Sequence, residues 1–191
     1  MKKTLLFLLL LTNITVFAQT LETLKSDTEK MYEASYNMAF EDVVDFTYPK
    51  ILETVTKEQM VETLNNAFEN KNYRIRLVYP KVTFTYSEIK KIDGKFLCVI
   101  TYTNALRMTF EEKLTKEKAD AVMANFKSSE EYKTLKYEAE RNSFFLEGKA
   151  TMIAVADTET KNEWKFINYS KSQSALAKMI FSDEILKQLG F

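Results

Sequence analysis

Apolar and polar positions follow two different periods along the chain, and the switches between them outline its elements. Leu21, Leu24, Thr28, Met31, Ser35 and Met38 recur every three or four residues, which is one stripe of an amphipathic helix. Tyr32 and Tyr36 stand one turn apart on the neighbouring strip, so both rings can face the same object. Glu41, Asp42 and Asp45 introduce a second, short helix with Val43, Val44 and Phe46 as its apolar side. Pro49 is expected to end it, since proline disfavours the helical conformation at the residue before it. Met60, Val61, Leu64, Ala67 and Phe68 predict a third helix, closed by Asn70 and Asn72.

The period then drops to two. Val82 to Tyr86 alternates apolar and hydroxyl residues, as a half-buried strand does. Asp93-Gly94 separates that run from Phe96 to Thr103, and Asp-Gly between alternating runs predicts a hairpin. Leu106, Met108 and Phe110 continue or follow this strand, alternating with Arg107 and Thr109. Residues 115–138 read as helix again. Thr115 caps it, Ala119, Val122, Met123 and Phe126 face inward, and Ser128-Ser129 opens a second helical piece carrying Tyr132 and Leu135. Strand patterns return at Ser143 to Leu146, at Ala150 to Val155 and, past a polar turn from Asp157 to Glu163, at Trp164 to Tyr169. From Ser174 the tail is amphipathic, with Leu176, Met179, Ile180, Ile185, Leu186 and Leu189 apolar. Helices first and an antiparallel meander afterwards is the order of an α+β fold.

Composition narrows the chemistry. The 191 residues hold 27 basic and 27 acidic side chains, so no global field favours nucleic acid. There is no histidine, which excludes Ser-His-Asp and Cys-His nucleophile systems and histidine-ligated metals. The single cysteine, Cys98, cannot close an internal disulfide or complete a four-sulfur metal site. No cofactor is expected.

The first residues carry an address. Lys2 and Lys3 precede an unbroken apolar run from Leu5 to Leu11, and Val16 and Ala18 are small residues placed for cleavage before Gln19. That layout predicts a signal peptide over residues 1–18 and a periplasmic or secreted mature chain. The run falls short of the roughly 20 residues a membrane span needs. No later stretch is long and apolar enough to cross a bilayer, so no stable membrane insertion is expected. With no linker rich in glycine, proline or serine, residues 19–191 read as a single domain.

Several side chains invite a functional reading beside an ordinary one. Tyr32, Tyr36, Tyr48 and Tyr102 can line a pocket, each setting a hydroxyl on an apolar body, though core or rim packing explains them equally. Asn104 and Arg107 interrupt an apolar strand. They either orient a ligand from the sheet or face solvent at a bulge. Trp164, the only tryptophan, begins the last strand, where sheet packing competes with ligand stacking. Asp42 and Asp45 fit capping and dipole roles better than catalysis, and Cys98 alternates with Phe96 and Ile100 as a core residue does.

Three stretches carry a likeness: Asp45-Phe-Thr-Tyr48-Pro49, Lys57-Glu-Gln-Met60, and the closing pair Met152-Ile-Ala-Val-Ala-Asp157 and Glu163-Trp-Lys-Phe-Ile167. With the element order, they resemble the NTF2-like (cystatin-related) α+β cone, and more narrowly a subgroup of uncharacterised secreted bacterial proteins. Those end in a Trp-Lys-Phe-Ile strand and a short apolar helix like Phe181 to Leu189. The resemblance implies N-terminal helices packed in the concave face of a strongly curved antiparallel sheet; the helical segment at 115–138 is an insertion that exceeds this minimal fold, and a C-terminal helix follows. It implies a cavity between helices and sheet, but no reaction. The expected function is therefore a non-catalytic domain binding a small apolar ligand or an envelope protein partner, with self-association through the outer sheet face as a further route. The alternative is a cofactor-independent lyase or isomerase using a pocket carboxylate and a tyrosine.

Overall fold

A computed structural model describes residues 20–53, 55–129, 131–170 and 174–191. The signal peptide expected over residues 1–18 lies outside the described residues. Helix α1 (Leu21–Tyr36) starts where Thr20 Oγ1 accepts from the Thr23 amide at 3.2 Å, and it buries Leu24, Thr28 and Met31 of the predicted stripe. Thr28 satisfies its hydroxyl by donating to the Leu24 carbonyl at 2.7 Å. Helix α2 (Phe40–Asp45) stops before Pro49, which instead opens a 3-10 turn, Pro49–Glu53. Helix α3 (Lys57–Phe68) begins with a reciprocal capping box between Thr56 and Gln59.

All described strands belong to one open antiparallel sheet of seven. They are β1 (Tyr73–Leu77), β2 (Thr85–Tyr86), β3 (Lys90–Ile92), β4 (Lys95–Phe110), β5 (Tyr132–Glu138), β6 (Ser143–Ala156) and β7 (Lys165–Tyr169). β4 and β6 form the spine, in unbroken register from Phe96 opposite Ala156 to Thr109 opposite Ser143. β1, β2 and β3 line the free side of β4, while β5 and β7 line that of β6. Asp93 and Gly94 hold φ of 50° and 77°, the left-handed pair that a tight two-residue hairpin requires between β3 and β4.

Four expectations need correction. The run from Val82 to Tyr86 pairs only at Thr85 and Tyr86, and Ser143 to Val155 is one strand, not two. The tail is two helices, α5 (Ser174–Ile180) and α6 (Asp183–Leu189), because Ser182 caps a new start and Phe181 turns into the core. Finally, α4 (Lys116–Ser128) ends where predicted to continue, and Tyr132 and Leu135 lie on β5. The cause of that misreading is a β-bulge. Tyr132 pairs with Gly148 but Thr134 with Glu147, so the register slips between them. The slip puts Tyr132, Leu135 and Tyr137 on one face, a spacing of three that imitates a helix.

Strand alternation then distributes the helices. Even-numbered positions of β4 and β6, including Cys98, Ile100, Met152 and Ala154, point toward Leu24, Met31, Phe40 and Val43 of α1 and α2. Odd positions, including Leu97, Ile153 and Val155, pack under Ala177, Phe181, Ile185 and Leu186 of the C-terminal helices. Farther along the even side, Leu106, Met108, Phe144 and Leu146 meet Ala119, Val122 and Phe126 of α4. The α1 face of the sheet thus carries helices at both ends, and the opposite face carries them at one.

Candidate functional site

Between those two helical covers the α1 face is only partly covered: Leu106 and Met108 reach α4 yet stay half-buried. Its floor comes from β1 and the second half of β4, with Ile75 opposite Met108 and Leu77 opposite Leu106. On this face of β4, Cys98 and Ile100 have no exposed surface, whereas Leu106 and Met108 are half-buried. Both edges of β4 are paired here, with β1 and β6, so what Leu106 and Met108 still expose lies on this face. Ile75 and Leu77 are half-buried too. The result is a partly exposed apolar strip, the trough, which meets Val122 and Met123 of α4 on one side and lies toward α1 on the other. Every strand position on its floor is uncharged, because the alternation sends Arg74, Arg76, Arg107, Glu147 and Lys149 to the opposite face.

An aromatic wall closes the end toward the core. Tyr32, Phe84 and Tyr102 meet edge to face, with ring centroids 5.8, 5.7 and 5.1 Å apart. Tyr32 Oη donates to the Tyr79 carbonyl at 2.7 Å and lies 3.4 Å from Asn104 Oδ1. Tyr79 in turn bonds Glu147 through its own hydroxyl. Burial, and then the neighbouring Tyr36, push the Tyr32 phenol up to about 12. Burial and Tyr32 also push the Tyr102 phenol well above its usual range, so both stay neutral at any physiological pH. Opposite Asn104 stands Gly148, and a Cβ there would overlap the Glu131 carbonyl, so this glycine admits the bulged start of β5.

Of the candidates from the sequence, Tyr32, Tyr102 and Asn104 come together here, and Tyr36 lies one turn along α1 from Tyr32. The other three do not join them. Arg107 points to the opposite face, where its Nε donates to Glu138 at 3.0 Å and its guanidinium covers the Phe145 ring. Trp164 is packed in the closed core, its Nε1 donating to Thr23 Oγ1 at 3.2 Å. Tyr48 belongs to the cluster under the C-terminal helices and donates to Asp157 Oδ2 at 2.7 Å. Lys95 Nζ shares that oxygen at 2.5 Å, and the amides of Glu159 and Thr160 fill Asp157 Oδ1. Every acceptor of this carboxylate is used, which makes the group a tie between segments and not a base.

Asp42 and Asp45 are exposed; Asp45 pairs with Lys57 at 2.6 Å, and both border an open cleft of about 400 Å³ shared with Lys30 and Glu33. A second cleft of about 530 Å³ follows α3, with Glu58, Glu62 and Lys57 among its lining. Both are charged, unlike the trough. Cys98 is buried against the Ser87 carbonyl, and burial raises its thiol pKa. Among the described residues no group of three or more acidic or cysteine side chains could hold a metal ion, and no helix is long and apolar enough to cross a membrane.

Sequence reading missed Ile75, Leu77, Tyr79 and Phe84. Tyr73, Ile75 and Leu77 alternate with Arg74 and Arg76, and that period of two was the available signal for β1. Compared with protein-family models, with curated proteins and with solved structures, the chain matches none.

Proposed function

We propose that this chain is a non-catalytic binding domain that takes a small apolar ligand in the trough between α1 and α4. The observation that carries the reading is the incomplete burial of Leu106 and Met108 in the middle of a fully paired strand. Large apolar side chains on an interior strand are ordinarily covered, and leaving them open costs roughly 25 cal/mol per Å² of exposed apolar surface. A ligand that covers them recovers that energy. The uncharged floor and neutral phenols favour a neutral occupant over an ion, and the floor strands bring no carboxylate that could serve as a base.

The NTF2-like cone is the architecture this reading implies, with α1 to α3 in the hollow of a curved sheet. The mixed α+β order and the antiparallel spine support it. Residues 2–18 support delivery to the periplasm or beyond. N-terminal sequencing of the protein recovered from an envelope fraction is expected to begin at Gln19.

Titration with the neutral fluorophore N-phenyl-1-naphthylamine tests the binding site. Saturable one-site enhancement is expected in the wild type, lost in Met108→Trp, which fills the floor, and kept in Thr103→Lys on the opposite face. A folded wild-type chain that gives no enhancement overturns the proposal.

A further inference from the structure

We infer that the trough selects an uncharged ligand bearing an ester or amide carbonyl, whose oxygen is taken by Tyr102 Oη and Asn104 Nδ2. This inference rests on the trough reading and names the chemistry of its occupant. Tyr102 and Asn104 are two positions apart on one strand, so they share a face with Cα atoms about 7 Å apart. They are the polar side chains of an otherwise apolar β4 floor. Among the described residues neither the Tyr102 hydroxyl nor the Asn104 amide nitrogen donates to a protein acceptor, yet neither is a sealed, unsatisfied atom. Burial dominates the surroundings of the Tyr102 hydroxyl, so the pair stands as donors without a protein acceptor at the core end of the floor. Tyr32 does not compete for a ligand, because the Tyr79 carbonyl takes its proton at 2.7 Å.

The direction of hydrogen bonding sets the ligand class. A phenol held neutral and a primary amide offer protons, so the complementary group is an acceptor. A carboxylate is an acceptor too, but it would enter a low-dielectric floor whose strands bring no cation, and the desolvation of its charge would go uncompensated. A pure hydrocarbon would leave both donors facing it without partners, which a site built around hydrogen bonds penalises. A neutral carbonyl on an apolar chain meets both demands.

Competition against bound N-phenyl-1-naphthylamine at pH 8 separates the cases. Methyl dodecanoate is expected to displace the probe at least about tenfold better than dodecanoate. Tyr102→Phe and Asn104→Leu are each expected to weaken the ester about tenfold relative to the probe measured on the same variant. An unchanged far-ultraviolet circular dichroism spectrum shows that each variant is folded. Equal competition by the carboxylate, or ester affinity unchanged in both variants, overturns this inference and leaves the trough standing. Failure of the probe to bind the wild type overturns the trough, and this inference with it.

Discussion

Tyr48 and Asp157, 109 residues apart in the chain, meet through a 2.7 Å hydrogen bond in which the phenol donates to Oδ2. Tyr48 is wholly buried and Asp157 is 3% exposed. The pair ties the segment after α2 to the β6–β7 turn, and Lys95 adds the start of β4. It fastens the sheet on the side away from the trough, where Tyr48 also stacks on Phe181.

Removing one member should cost more than the bond itself. Tyr48→Phe is expected to lower unfolding free energy by about 1–2 kcal/mol, because the carboxylate keeps its other donors. Asp157→Ala is expected to cost about 3 kcal/mol or more, since it orphans the Tyr48 hydroxyl, Lys95 and two amides at once. Urea denaturation of both variants measures the difference.

The same group makes stability depend on pH. Burial pushes the Asp157 carboxyl up, but Lys95, Tyr48 and the Thr160 amide outweigh it, and the net pKa is lowered. A lowered carboxylate stabilises the fold above its unfolded value near 3.9, and that stability is lost as pH falls through the folded value. Wild type and Asp157→Asn should therefore differ most above about pH 5 and converge as pH falls through the lowered folded value. Tyr48 acts in the opposite window. Burial and Asp157 raise its pKa, so its contribution is present below about pH 10 and declines as pH rises beyond that, a slope that Tyr48→Phe should flatten. Denaturation curves across both ranges check the two signs.

Gly148→Ala should damage the fold through the backbone. The added methyl group would overlap the Glu131 carbonyl, so β5 must shift away from β6. A loss of about 2 kcal/mol or more is expected, with faster amide exchange over residues 132–138 than elsewhere in the sheet. Exchange that quickens evenly over all strands would contradict this local cause.

Cys98 supplies a probe of opening. It has no exposed surface and its thiol pKa is raised by burial, then partly restored by Ser87. A thiol reagent should not label the native chain and should label it fully in urea, at a rate set by unfolding. Trp164, also buried, should report the same transition as a red shift of its emission.

The sequence by itself determined the elements that rest on local chemistry. Thr115 caps a helix and Asp93-Gly94 turns a hairpin, because capping and turn geometry need only a few neighbouring residues. Period-two alternation likewise placed Cys98 with Phe96 and Ile100 on one strand face. Tertiary structure decided the rest. The bulge at Tyr132 hid a strand behind a helical spacing, and only its pairing with Gly148 and Glu147 reveals it. Which face of β4 receives α1, and which receives α5 and α6, separated Tyr48 and Arg107 from Tyr32, although all of them read alike as polar groups in apolar runs. The trough itself was invisible for the same reason. A Leu or Met in an alternating strand looks the same whether a helix covers it or not, and the cover is set by elements many residues away.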